Sequence, residues 1–260
     1  MERAALDVTA LRAALAARWA RVEVVASTES TNADLLADAS APDRSVLVAE
    51  HQVAGRGRFD RSWTSPARAG LTFSALLRPE LPRPEWGWLP LLAGVAVAEA
   101  VQEVTRLAPG LKWPNDLLAA DGRKLAGILA QTAGSAVVVG VGLNVDTAEA
   151  ELPVDTATSL MLAGAASVDR TALLVAILRR LDARYAQWID CGGDAGACGL
   201  AAAYREACTT LGRPVQVRLA EHELVDGVAT DVDSLGRLVL QTADGELSVV
   251  AGDVEHVRSA

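Results

Sequence analysis

Four short segments of this chain gather residue types that handle anions. The first runs Gly55-Arg56-Gly57-Arg58-Phe59-Asp60-Arg61-Ser62-Trp63. Between His51 and Gly70 four arginines face one aspartate, a positive island in a chain of formal net charge −9. Glycines let backbone N–H groups approach an anion closely. Arginines add forked donors that suit phosphate or carboxylate. The same composition also fits a solvated surface loop or a nucleic-acid contact. Sparse aromatic partners and the acidic balance oppose the nucleic-acid reading.

The second segment, Lys112-Trp113-Pro114-Asn115-Asp116, packs a cation, a fixed backbone, an amide and a carboxylate into one strand end. Amide and carboxylate oxygens are hard ligands that suit Mg²⁺ carried on phosphates. A Pro-Asn-Asp turn would use the same residues. The third, Lys124-Leu125-Ala126-Gly127-Ile128-Leu129, sends one lysine into an otherwise apolar strand. An unpaired buried ammonium is costly, so Lys124 requires a bound anion, a nearby carboxylate, or an exit to solvent at the strand end. The fourth, Gly140-Val141-Gly142-Leu143-Asn144-Val145, places two glycines inside a strand pattern. Such glycines mark close approach of a ligand or of another backbone, and they also serve bulges and barrel corners. No Walker loop, dinucleotide fingerprint, nucleophile elbow or zinc-helix motif is present.

The elements that hold these segments follow from periodicity. Helices are predicted at Leu6–Ala20, with Asp7 or Thr9 as cap, and after Ser30 or Thr31. Further helices are predicted at Trp88–Val104, from Asp169 to about Ile189, and at Leu200–Thr210. Strands are predicted at Val22–Val25, Val46–Ala49, Leu71–Leu77, Leu111–Trp113, Asp116–Leu118, Leu125–Gln131 and Ala136–Val141, with Gln52–Gly70 as a loop. From Gly212 the texture changes to short strands separated by Gly turns, which suggests a small β-barrel. The expected organisation is therefore α+β: residues 1–210 as a mixed sheet with helices against one face, then a separate small domain at 211–260.

About half of the 260 residues are apolar, enough for a substantial core. Cys191, Cys198 and Cys208 lie far in sequence from His51, His222 and His256, which points to free thiols and away from zinc. The opening residues carry both charge signs and lack a signal peptide's apolar run. Leu125–Val145 is uncharged and long enough to span a bilayer, but its polar and glycine residues fit two strands around a turn better. A cytoplasmic location is the resulting expectation.

Taken in order, the motifs resemble those of biotin–protein ligases. The family's Gly-Arg-Gly-Arg loop corresponds to Gly55–Arg58, and its Lys-Trp-Pro-Asn-Asp segment to Lys112–Asp116. Its Lys-Leu-Ala-Gly-Ile-Leu strand matches Lys124–Leu129, and its Ser-Thr-Asn step matches Ser30-Thr31-Asn32. The resemblance covers nearly the whole chain and implies a C-terminal SH3-like barrel. It implies ATP-dependent activation of biotin to biotinyl-adenylate, then transfer to a lysine of a biotin carboxyl carrier protein or domain. Ser30, Thr31, Asn32, Gln52, Gly55, Gly127 and Gly140 would then line the biotin pocket. Arg56, Gly57 and Arg58 would close over biotin and the adenylate. Lys124 would contact the biotin carboxylate and the α-phosphate, with Arg58 as the other catalytic cation. Asn115 and Asp116 would hold ATP phosphates through Mg²⁺, with Lys112 adding charge. Gly142 would line the nucleotide end, Asn144 would approach adenine, and Trp63 would pack on the nucleotide.

The chemistry explains the cations. A carboxylate must attack phosphorus already ringed by negative charge, and positive groups at that point relieve the repulsion. A loop ordering over the mixed anhydride keeps water from it. Two positions depart from the family pattern: Asp60 where a small residue is usual, and Gln131 where an acidic one is common. The lack of a helix-turn-helix implies a ligase without repressor function. The expected partners exclude nucleic acid and membrane, and the expected state is a monomer or a weak homodimer. The competing readings are a lipoyl–protein ligase using the same adenylation chemistry, a non-catalytic biotin- or nucleotide-binding module, and a DNA-binding regulator.

Overall fold

The computed structural model describes residues 3–59, 61–219 and 223–256. Seven strands form one sheet: Arg21–Val25 (β1), Ser45–Ala49 (β2), Gly70–Leu77 (β5), Gly110–Lys112 (β6), Asp116–Leu118 (β7), Lys124–Ala133 (β8) and Ala136–Asn144 (β9). The intervening numbers belong to a two-stranded hairpin, Gly55–Arg56 (β3) and Ser62–Trp63 (β4). The sheet order is β1-β2-β5-β9-β8-β7-β6. Only β1 and β2 run parallel, so the sheet is mixed as expected.

Strand alternation separates the two faces. Leu71, Phe73 and Ala75 of β5 join Val137, Val139 and Val141 of β9 in the main core. Three helices cover this face: Val8–Leu15 (α1), Trp88–Thr105 (α3) and Arg170–Asp190 (α4). Asp7 caps α1 by accepting from the Ala10 N–H at 2.9 Å, and Asp169 caps α4 by accepting from Thr171 at 2.8 Å. Helix α1 ends at Leu15, short of the predicted Ala20.

The expectation that helices cover one face alone is corrected. Thr31–Ala37 (α2) packs on the opposite face, where Leu35, Leu47, Leu76 and Val138 form a second, small cluster. Helix α2 covers only part of that face. The remainder holds the polar and glycine positions of β5, β8 and β9.

The uncharged stretch from Leu125 is the β8/β9 hairpin. Strand β9 is paired on both edges, by β5 and β8. Among the described residues one helical stretch, 83–105, is long and apolar enough to cross a membrane. Twelve residues of α3 are buried against the sheet and α4, which makes it a core helix.

A further short helix, Leu200–Ala207 (α5), leads to the C-terminal strands. Pro214–Arg218 (β10), Leu224–Val232 (β11), Leu238–Thr242 (β12), Gly245–Val249 (β13) and Asp253–His256 (β14) form an antiparallel sheet of order β13-β12-β11-β10-β14. Strand β14 carries no periodic signal in the sequence. Among the described residues the edge strands β13 and β14 do not pair with one another, so this SH3-like unit is an open sheet there and not a closed barrel. The Trp88 indole N–H donates to the Ser234 carbonyl at 2.7 Å, and that of Trp113 to the Gly236 carbonyl at 3.1 Å. These two bonds tie the turn before β12 to the start of α3 and to the residue after β6.

Candidate active site

The sheet register builds the floor of a cavity. Ser74, Gly140 and Leu129 are aligned across β5, β9 and β8, and Thr72, Gly142, Gly127 and Asp116 form the next row. Both rows lie on the α2 face of the sheet, beside and beyond the helix. Small residues here keep the strands bare. A Cβ at Gly140 would overlap the Asn32 amide, and one at Gly142 would overlap the Trp63 indole.

The first turn of α2 forms one wall. Ser30 caps the helix, accepting from the Ala33 N–H at 3.4 Å, and the capped turn directs Thr31 and Asn32 down to the sheet. The Asn32 amide donates to the Leu129 carbonyl at 3.1 Å and to Gln131 Oε1 at 2.8 Å. Its Oδ1 accepts from Ser74 at 2.6 Å. The Thr31 N–H donates to Gln52 Oε1 at 2.9 Å. Gln131 thus supplies the acceptor that fixes the Asn32 amide.

Lys124 reaches the cavity through a fault in the ladder. Between β7 and β8 the register shifts, with Leu117 opposite Ala126 but Leu118 opposite Lys124. Leu125 and Ala126 both enter the main core, which turns Lys124 onto the glycine face. Its Nζ lies 2.6 Å from Asp116 Oδ1 and beside Gly127. Asn115 is fixed by two bonds to Ile128: its amide donates to the Ile128 carbonyl at 3.1 Å, and its carbonyl accepts from the Ile128 N–H at 2.8 Å.

The Gly-Arg segment, predicted as loop, contains the β3/β4 hairpin, with Gly55 opposite Trp63 and Arg56 opposite Ser62. The Arg61 carbonyl accepts from the Gly57 N–H at 2.6 Å, and the Arg61 N–H donates to the Arg58 carbonyl at 3.2 Å. These bonds close the turn that carries Arg58 and Phe59. Burial pulls Arg58 below the usual guanidinium range, while Asp253 and Asp116 favour its charge and Arg61 opposes it. An arginine stays protonated through such a shift. Trp63 packs against Gly142 and Gly127, with its buried N–H unpartnered among the described residues.

One cavity brings together Ser30, Thr31, Asn32, Gln52, Arg56, Gly57, Arg58, Trp63, Asn115, Asp116, Lys124, Gly127, Gly140 and Gly142. Three expected residues stand outside it. Gly55, the first residue of the hairpin, is buried against Gln52 and Trp63. Asn144 is buried and donates to the Thr158 carbonyl at 3.0 Å. Lys112 borders the adjacent groove, together with Asn144, Arg213 and His256. Asp60 lies outside the described residues. The sequence reasoning missed Thr72 and Ser74, although two polar residues at alternate positions of an apolar strand were a legible signal. It also missed Arg61 and Asp253, and for Asp253 no local pattern existed.

Comparison with known proteins agrees with this architecture. Residues 22–147 match the biotin/lipoate A/B protein ligase family, and residues 210–257 match the biotin protein ligase C-terminal domain. The chain is 47% identical to the biotin–[acetyl-CoA-carboxylase] ligase of Mycobacterium tuberculosis, covering 92% of this chain and 90% of that one. It is 30% identical to the bifunctional ligase/repressor BirA of Escherichia coli, over 91% of this chain and 73% of that one. The biotin protein ligase of Aquifex aeolicus, solved with biotin and ATP, superposes with a TM-score of 0.76 at 27% identity, covering 92% of this chain and 99% of that one. The family match places the catalytic sheet in the class of biotin and lipoate protein ligases. The chain belongs to the biotin protein ligase family.

Proposed function

We propose that this chain activates biotin with ATP and transfers the biotinyl group to a lysine of a carboxylase carrier protein or domain. The observation that carries this reading is the placement of Lys124 and Arg58 in one glycine-floored cavity, beside Asp116. In the first step a carboxylate oxygen of biotin attacks the α-phosphorus of ATP, and the bond to pyrophosphate breaks. Lys124 and Arg58 supply positive charge where the incoming carboxylate and the phosphate would repel. In the second step the neutral amine of the carrier lysine attacks the acyl carbon and loses a proton, and AMP leaves. The arginine hairpin shields the anhydride from water between the steps.

The assignments extend residue by residue. Ser30, Thr31, Asn32, Gln52, Gly127 and Gly140 hold biotin, and Arg56 and Gly57 close over it. Trp63, Asn115, Asp116 and Gly142 serve the nucleotide. Lys112 and Asn144, in the adjoining groove, face its phosphate and adenine ends from outside the cavity. Mg²⁺ fits this arrangement as an ion carried on the nucleotide. No group of three or more His, Cys, Asp or Glu side chains stands ready for a metal among the described residues, and the cavity holds Asn115 and Asp116 as the oxygen donors that would meet such an ion. When bound, Mg²⁺ neutralises charge on the pyrophosphate.

The reading divides the chain at 210/211 into a ligase domain and an SH3-like domain, supported by the match beginning at residue 210. It takes the protein as cytoplasmic, a monomer or weak homodimer, without nucleic-acid or membrane partners. The test mixes the protein with ATP, Mg²⁺, biotin and a carrier domain and weighs the carrier. A gain of one biotinyl group supports the reading, and an unchanged mass refutes it. Pyrophosphate exchange into ATP that depends on lipoate and not on biotin would instead favour the lipoyl–protein ligase.

A further inference from the structure

Asp253 opens β14, yet it borders the ligand cavity, the one cavity-lining residue of the C-terminal sheet among the described residues. Its two carboxylate oxygens accept from the two terminal nitrogens of Arg61, fork to fork, with the longer arm at 3.4 Å. Arg61 is the residue whose backbone closes the hairpin turn carrying Arg58. Holding the Arg61 side chain therefore holds that turn. Arg58 and Arg61 also repel each other, and Asp253 offsets both charges.

We infer that Asp253 is a positioning residue: it anchors the arginine hairpin to the C-terminal sheet, making that sheet part of the closure over the acyl-adenylate. The inference rests on the adenylation reading above and extends it to a residue that touches no reacting atom. An exposed ion pair alone contributes modestly, so the expected effect is on retention of the intermediate and not on folding.

The test forms the acyl-adenylate from biotin and labelled ATP with Mg²⁺, strips free ligand by rapid gel filtration, and follows loss of label from the protein. Asp253→Asn is expected to lose the intermediate about fivefold faster, the upper end for an exposed ion pair, at an unchanged melting temperature. Arg61→Asp alone sets two carboxylates face to face and should be at least as leaky, and the exchanged pair Arg61→Asp with Asp253→Arg should recover retention. An Asp253→Asn protein that retains the intermediate as long as the parent would overturn the inference. So would an exchanged pair no better than either single variant. If the parent itself forms no acyl-adenylate, the adenylation reading fails instead.

Discussion

At the scale of single residues, the site depends on one lysine turned into a cavity by a bulge. Lys124 pairs with Asp116 at 2.6 Å, so a carboxylate holds its ammonium beside the glycine floor. Lys124→Ala removes the charge and leaves Asp116 unpaired and half-buried. Losing one pre-organised donor to a developing anion costs on the order of 10²–10³ in rate. Biotin-dependent exchange of labelled pyrophosphate into ATP should fall by about that factor. A variant exchanging at the parental rate would remove Lys124 from the chemistry. Arg58 differs, since burial disfavours its charge while Asp253 and Asp116 favour it. The hairpin turn closed by Arg61 carries it.

At the scale of elements, the spacing between α2 and β9 sets the pocket. Gly140 lets the capped turn of α2 approach until Asn32 bonds the Leu129 carbonyl. Gly140→Ala places a methyl group where the Asn32 amide stands, forcing helix and strand apart. Overpacking of this kind costs about 1–3 kcal/mol. Titration calorimetry should show biotin bound roughly tenfold more weakly or worse, the factor for about 1.4 kcal/mol. Unchanged affinity would mean that this contact does not shape the pocket. The elements were largely legible in the sequence, because caps at Ser30 and Asp169 and the period-2 pattern of β5 are local signals. The β3/β4 hairpin was not, because two-residue strands are too short to show a period. The Lys124 bulge was likewise invisible, since it arises from pairing with β7 and not from β8 alone.

At the scale of the whole molecule, the C-terminal sheet is joined to the ligase sheet by side chains far apart in sequence. The Thr210 hydroxyl accepts from the Trp113 N–H at 3.1 Å and meets His256 Nε2 at 3.2 Å. Burial, then Lys112, then Arg213 lower the His256 pKa from its ordinary 6.5 to about 4. The fold therefore favours the neutral ring, and the unfolded chain takes up the proton first on acidification. This contribution to stability is present above pH 6.5 and is lost as pH falls towards 4. Urea unfolding should show His256→Gln losing less stability than the parent between pH 7.5 and pH 4.5 (two points chosen about that window). Equal losses would show that His256 does not titrate in this way. Such joints explain what the sequence withheld: Asp253 reaches the cavity only because the two sheets dock, whereas the four anion-handling motifs announced themselves by residue type. The most direct measurement is a crystal structure with a non-hydrolysable biotinyl-adenylate analogue. The account predicts Lys124 Nζ and the Arg58 guanidinium at about 2.7–2.9 Å from oxygens of the acyl-phosphate linkage. Either side chain turned to solvent, with the analogue bound elsewhere, would contradict it.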